Sequence, residues 1–263
     1  MEVKRKGAKS LKDIPAEVLQ QLNLGVIESV NLTEWLAVDQ KELLKNVLPE
    51  KYATACLSDL EVLEKASTMQ TIRRIGETLL RETLQETDKK LLKELKSHIS
   101  DNVRCWAAYM IGLDKSISFA DKLEAIKGFA ADGNFGVREI AWMAVREDMD
   151  RNIENAIPIL LAWTKDKDYN IRRFASEAIR PNGVWSKHIE KLKQQPEIAL
   201  PILEALKSDS EKYVQDSVGN WLNDASKTRP DFVIEVTNKW ESNNPTKETK
   251  YIIKKALRTI NKK

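Results

Sequence analysis

Cysteine and histidine each occur only twice in 263 residues, which narrows the possible chemistry at once. Cys56 and Cys105 fall in helical apolar contexts, the surroundings of packed thiols and not of a disulfide or metal pair. His98 and His188 stand far apart with no ligand spacing around them, which argues against a zinc site and a Ser-His-Asp triad. Neither a metal nor a cofactor is expected. No run of about 18 apolar residues is present, so no membrane span is expected. The stretch Met1-Glu2-Val3-Lys4-Arg5-Lys6 lacks the apolar region of a signal peptide, and the expected location is cytoplasmic. Strand-like alternation, long linkers and low-complexity tracts are missing too. With 42% apolar and 32% charged residues, the composition is that of an ordered helical protein. A net charge of +3 permits a polyanionic partner, but placement of charge matters more than the total.

What the chain does have is a repeated apolar frame. Val103-Arg104-Cys105-Trp106-Ala107, Val137-Arg138-Glu139-Ile140-Ala141, Ile171-Arg172-Arg173-Phe174-Ala175 and Val214-Gln215-Asp216-Ser217-Val218 align, the first three 34 residues apart and the fourth after 43. From each leading Val or Ile, positions 0, 3, 4, 7 and 8 are almost all apolar, one face of a helix. A helical pattern with a period in the thirties predicts an all-α fold, an α-solenoid of HEAT-like helix pairs, curved with a concave binding face. One repeat domain is expected over residues 1–263, with a basic leader (1–12) and divergent helices (13–100) before the signature repeats (101–240) and a C-terminal cap (241–263). Asn31 and Ser67 are expected to open helices, as are Phe119 and Ile153. A capped array has no need of a partner copy, and a monomer is expected.

Positions 2, 6, 9 and 10 of the frame face away from the stripe. They hold Glu139, Met143 and Arg146, then Arg173, Glu177 and Arg180, then Asp216, Asn220, Asn223 and Asp224. Arg173, Glu177 and Arg180 form a ladder that has two readings, a solvated salt-bridge ladder or a phosphate clamp around a carboxylate. The helix is expected to stop at Arg180-Pro181, with Gly183 permitting a tight turn and Trp185 left at the exit. Trp142 lies at the margin of the apolar stripe, where burial and ligand contact are both open.

The string Arg172-Arg173-Phe174-Ala175-Ser176-Glu177-Ala178-Ile179-Arg180-Pro181, then Trp185, then Val214 to Asp224 with Ser226-Lys227 and Pro230-Asp231, resembles the AlkC branch of the HEAT-like repeat DNA glycosylases. That superfamily also includes the AlkD branch. The resemblance runs from about residue 100 to 240 and is strongest from 166 to 231. It implies an alkylpurine DNA glycosylase that excises cationic alkylated bases from double-stranded DNA without metal or cofactor. Glu177 and Asp224 correspond to active-site carboxylates, with Glu139 as a third. Arg173 and Arg180 correspond to DNA-backbone contacts and Trp185 to the aromatic beside the lesion, and Trp142 joins the DNA-binding set. The family commonly has Arg-Pro-Arg-Leu-Pro-Trp where this chain has Arg180-Pro181-Asn182-Gly183-Val184-Trp185, so one basic residue and one proline are replaced. Two other readings are a non-catalytic DNA binder on the same scaffold and a HEAT-type protein-interaction scaffold.

Overall fold

The computed structural model describes residues 5–183 and 185–262. Among them are sixteen α-helices and no strand: α1 (Ala16–Asn23), α2 (Leu32–Ala37), α3 (Gln40–Val47), α4 (Glu50–Glu61), α5 (Thr68–Gln85), α6 (Lys89–Lys96), α7 (Asp101–Leu113), α8 (Phe119–Ala130), α9 (Phe135–Arg151), α10 (Ile153–Trp163), α11 (Tyr169–Glu177), α12 (Glu190–Gln194), α13 (Leu200–Leu206), α14 (Lys212–Ala225), α15 (Pro230–Ser242) and α16 (Lys247–Ala256). The fold is the HEAT-like helix-pair array that the periodicity predicts.

The starts of these helices follow local chemistry. Asn31 accepts from the Glu34 backbone N–H at 2.9 Å, and Ser67 with Gln70 forms a reciprocal capping box at the start of α5. Asp39, Asp88, Ser118 and Asp168 cap their helices in the same way. The basic leader is anchored at Arg5, which donates to Glu34 Oε1 (2.6 Å) and to the Glu28 carbonyl (2.8 Å). Lys4 of that leader lies outside the described residues.

The signature residue after each leading Val or Ile has a single structural job. Arg104, Arg138, Arg172 and Gln215 each donate a side-chain N–H to the carbonyls five and six residues back, in the turn that precedes their own helix. Arg104 then pairs through two nitrogens with Asp132, and Arg172 does the same with Asp209. Each of those aspartates also accepts from a backbone N–H two residues on in its own turn (2.7 and 2.9 Å). The arginine thus ties one turn to its helix and to the turn of the following repeat, satisfying carbonyls that a helix–turn junction would leave unpaired. Gln215 keeps the carbonyl bonds and gives up the ion pair.

The chain divides into two compact units, with the boundary between Ala144 and Val145. In a repeat array each helix pair touches mainly its neighbours. In the first unit α5 lies against α7, with α4 packed on α5 and α6 on α7. A Cβ added at Gly112 of α7 would collide with the Ala144 backbone, so α7 and α9 meet at van der Waals contact. In the second unit α11, α14 and α16 lie side by side, backed by α10, α13 and α15. The predicted stripe is the core: Val103, Trp106, Val137, Ile140, Phe174, Ile179, Val218 and Trp221 are all buried. Both cysteines are free and buried.

Candidate active site

The ladder residues sit at the C-terminal end of α11, against α14. The sequence places the end of that helix at Arg180-Pro181, whereas its last helical residue is Glu177, with Ala178 as C-cap. Side chains take over the exposed carbonyls. The Ala178 and Arg180 carbonyls accept from Arg146 Nη1 (3.0 Å) and Nη2 (2.7 Å), and Ile179 O accepts from Trp221 Nε1 (3.0 Å). Arg146 Nε reaches Lys187 O at 2.9 Å, closing the loop onto the same guanidinium. Pro181 reinforces the ending, because its ring disfavours helical backbone at Arg180.

Its place off the stripe turns Arg146 outward in the sequence reading, whereas in the fold it is buried, only 3% exposed. Burial, and next the nearby Arg180 charge, lower its pKa to about 10, so it remains a cation at neutral pH. Gly183 also has a different reason from the expected one. Its backbone is not left-handed; an added Cβ would strike Ser186 and stand 2.8 Å from the Arg146 guanidinium carbon. The left-handed residue of this loop is Trp185, at φ 58°, with its ring 58% exposed. A bulky side chain with that backbone is strained, and strain of this kind collects at ligand-contact positions. Val184, between them, lies outside the described residues.

Arg180 joins the two carboxylates expected to act together. Its Nη1 donates to Glu177 Oε1 at 2.9 Å, while Nε and Nη2 donate to Asp224 Oδ2 at 2.9 and 2.7 Å. Glu177 and Asp224 come from successive signature helices, and their side chains are 6% and 4% exposed. The solvated-ladder reading is therefore overturned. Arg173 Nη2 is 3.4 Å from Glu177 Oε1, but the ladder is buried because α14 packs over it and Arg180 crosses to that helix. Arg173 also lies with its guanidinium carbon 4.5 Å from the Tyr213 ring centroid.

A second set of donors fixes the carboxylates from other sides. Ser217 Oγ donates to Glu177 Oε2 at 2.7 Å and lies 2.8 Å from Ser176 Oγ, both hydroxyls being buried. Lys227 Nζ donates to Asp224 Oδ1 at 2.9 Å. Burial pushes the Glu177 carboxyl up, but the charges of Arg173 and Arg180 and the Ser217 hydrogen bond more than offset it, leaving its pKa below the ordinary glutamate value. Burial would likewise lower Arg180, and the two carboxylates outweigh it.

Glu139 and Trp142 belong to the first unit, where Trp142 Nε1 donates to Glu139 Oε2 at 2.9 Å. Trp142 is 2% exposed, so its ring is a core group and its polar edge orients Glu139. Ser217, Ser176 and Lys227 are site residues to which the sequence alone assigns no role, and Arg146, which it places off the stripe, turns out to hold the loop. One signal was available: Ser217 is the polar residue in a stripe position held by Trp106, Ile140 and Phe174 in the other repeats. Among the described residues no cluster of three or more His, Cys, Asp or Glu could hold a metal ion, and no helix is long and apolar enough to cross a membrane.

Fold and site define an all-helical HEAT-like repeat protein whose second helices bring buried acids and arginines into one cluster. The chain belongs to the DNA alkylation repair enzyme family, which it matches over residues 66–260. It is a member of the AlkC/AlkD superfamily. The alkylpurine DNA glycosylase AlkC of Pseudomonas fluorescens, solved bound to DNA containing an abasic site analog, superimposes with a TM-score of 0.68 at 26% identity, covering 97% of this chain and 66% of that one. AlkD2 from Streptococcus mutans shares the fold, with a TM-score of 0.58 at 24% identity over 80% of this chain and 97% of the other. The uncharacterized protein YhaZ of Bacillus subtilis is 41% identical over 140 residues, which is 53% of this chain and 38% of YhaZ. The chain thus spans less than two thirds of the length of both YhaZ and AlkC.

Proposed function

We propose that this protein is a DNA glycosylase that hydrolyses the N-glycosidic bond of purines made cationic by alkylation, in double-stranded DNA. The observation that carries the reading is the pair Glu177 and Asp224, two buried carboxylates from successive repeats that share one guanidinium. A base alkylated at N3 or N7 is already a good leaving group, so the protein's task is to stabilise the positive charge that develops on the sugar and to orient water. Fixed carboxylates in a water-poor site do both, and their effect is largest where charge grows in the transition state. Ser217 and Lys227 hold the two acids in place, so little reorganisation accompanies the reaction. Glu139, oriented by Trp142, is a third candidate acid on the family resemblance alone. Arg173 and Arg180 take backbone phosphates, and the exposed Trp185 ring packs against the deoxyribose and charged lesion.

The test is incubation of the purified protein with methylated genomic DNA, followed by identification of the free bases. Release of alkylated adenine or guanine is expected. Glu177→Gln removes the charge at nearly constant shape and is expected to abolish release while DNA affinity changes little. Full activity in that variant would take Glu177 out of the catalytic set. If the wild-type protein binds methylated DNA tightly and releases no base, the acids serve only to fix the arginines and the protein is a DNA binder.

A further inference from the structure

The guanidinium of Arg180 occupies the space between Glu177 and Asp224, with hydrogen bonds of 2.7–2.9 Å to both. On the reading above, that space belongs to the cationic sugar. The arginine and the substrate cation therefore compete for the same two carboxylates. Three features make the arginine side chain the part that moves. Its backbone is pinned, since Arg180 O accepts from Arg146 Nη2 at 2.7 Å and the next residue is Pro181, whose carbonyl accepts from Ile189 N at 3.0 Å. The carboxylates keep other donors, Ser217 for Glu177 and Lys227 for Asp224, when Arg180 leaves. The Arg180 side chain is 12% exposed, more than the acids it joins, which are 6% and 4% exposed.

Charge balance then restricts what can enter. A neutral group displacing Arg180 would take from both buried carboxylates the cation they share, leaving Glu177 only Arg173 at 3.4 Å and Asp224 only Lys227 at 2.9 Å, a costly loss for buried acids. A cation alone would strand the guanidinium, and an anion alone would uncover the acids. A cation and an anion delivered together exchange partners without leaving a buried charge unpaired. A cationic nucleotide flanked by a phosphodiester is such a ligand.

We propose that Arg180 is the coupling residue of this site: a resident stand-in for the substrate's positive charge, handed to a backbone phosphate when a cationic lesion arrives. The proposal rests on the glycosylase reading and deepens it, because it states why cationic and not neutral nucleotides would be taken. The buried acids supply the preference for a cation and the exchange ties it to a flanking phosphate, and neither needs a pocket shaped to the base.

The experiment measures wild-type affinity for duplexes carrying either a cationic pyrrolidine or a neutral tetrahydrofuran abasic analog. Each duplex is made with natural phosphates or with one neutral methylphosphonate, stepped through the positions flanking the analog. With natural phosphates the cationic analog is expected to bind about tenfold more tightly, within the usual range of coupling between two sites. At one flanking position, neutralising the phosphate is expected to erase that preference. A preference that survives at every position, or no preference at all, overturns the exchange. Arg180→Gln, checked for folding by circular dichroism, should retain the preference and make it independent of phosphate charge; if it does not fold, the wild-type series decides. Base release from methylated DNA is scored separately. Release without coupling defeats the exchange alone, and coupling without release defeats the glycosylase reading alone.

Discussion

Ser217 puts a hydroxyl where the other repeats carry a large apolar side chain, and that hydroxyl donates to Glu177 Oε2 at 2.7 Å with Ser176 behind it. A hydrogen bond to a buried charged group contributes about 1.5–3 kcal/mol. Ser217→Ala is therefore expected to lower stability by that amount in urea unfolding. It is also expected to slow base release about tenfold, the equivalent of about 1.4 kcal/mol of barrier. Ser217→Thr keeps the hydroxyl and should recover most of the loss. Slowed release in Ser217→Ala at unchanged KM would mark a positioning role for this residue, since a general loss of folded protein would also be seen as inactive material in unfolding curves. Arg146 acts at the same scale through backbone: it holds the carbonyls of Ala178, Arg180 and Lys187, so the loop after α11 is shaped by a buried cation.

Among the elements, the turn-stapling arginines explain why the repeats share a Val-Arg pair that has no part in chemistry. Arg172→Gln would copy what Gln215 does in the fourth repeat, keeping the carbonyl bonds and losing Asp209, whose side chain is 6% exposed. Its expected cost is about 1–3 kcal/mol, the penalty of an unsatisfied buried acceptor, and Arg172→Ala should cost more because the turn carbonyls are lost as well. Thermal or urea unfolding of the two variants separates these contributions. α14 and α16 are joined by Asp216, which accepts from Lys212, Lys255 and Tyr251. Burial would raise the Asp216 carboxyl, but these three donors bring it from 3.8 down to about 2. A depressed folded-state pKa adds stability above the unfolded value and loses it as pH falls through the folded one. Asp216→Asn should thus lower the urea midpoint at neutral pH, with the gap to wild type closing between pH 3.8 and about 2. Helix starts in these repeats were largely legible: α8 and α10 begin at Phe119 and Ile153 as the pattern suggested, because caps and apolar spacing are local. The end of α11 was not, because distant Arg146 and Trp221 satisfy the carbonyls that would otherwise continue the helix.

For the molecule as a whole, 43 basic residues stand against 40 acidic ones, so the net charge of +3 adds little long-range attraction, and on the glycosylase reading DNA affinity depends on where the cations sit. Each phosphate neutralised contributes about 0.9 to the slope of log affinity against log salt. If Arg180 is released only by a cationic lesion, Arg180→Gln should leave the slope on undamaged duplex unchanged. On duplex with the cationic abasic analog, the same variant should flatten the slope by about one. Fluorescence anisotropy over a salt series reads both, and equal wild-type slopes on the two duplexes would contradict the exchange.

Sequence by itself determined the helices, their pairing into repeats and the residues that face away from the apolar stripe, since all of these follow from a period of 3.6 residues and from capping within a few positions. It also marked Glu177, Asp224 and Arg180 as worth attention. Only the tertiary structure decided that Arg180 bridges the two acids, 44 residues apart from Asp224, and that Ser217 and Lys227 hold them from other sides. The reason is physical: spacing along one helix fixes which side chains share a face, whereas burial and charge pairing depend on which second helix is laid across that face.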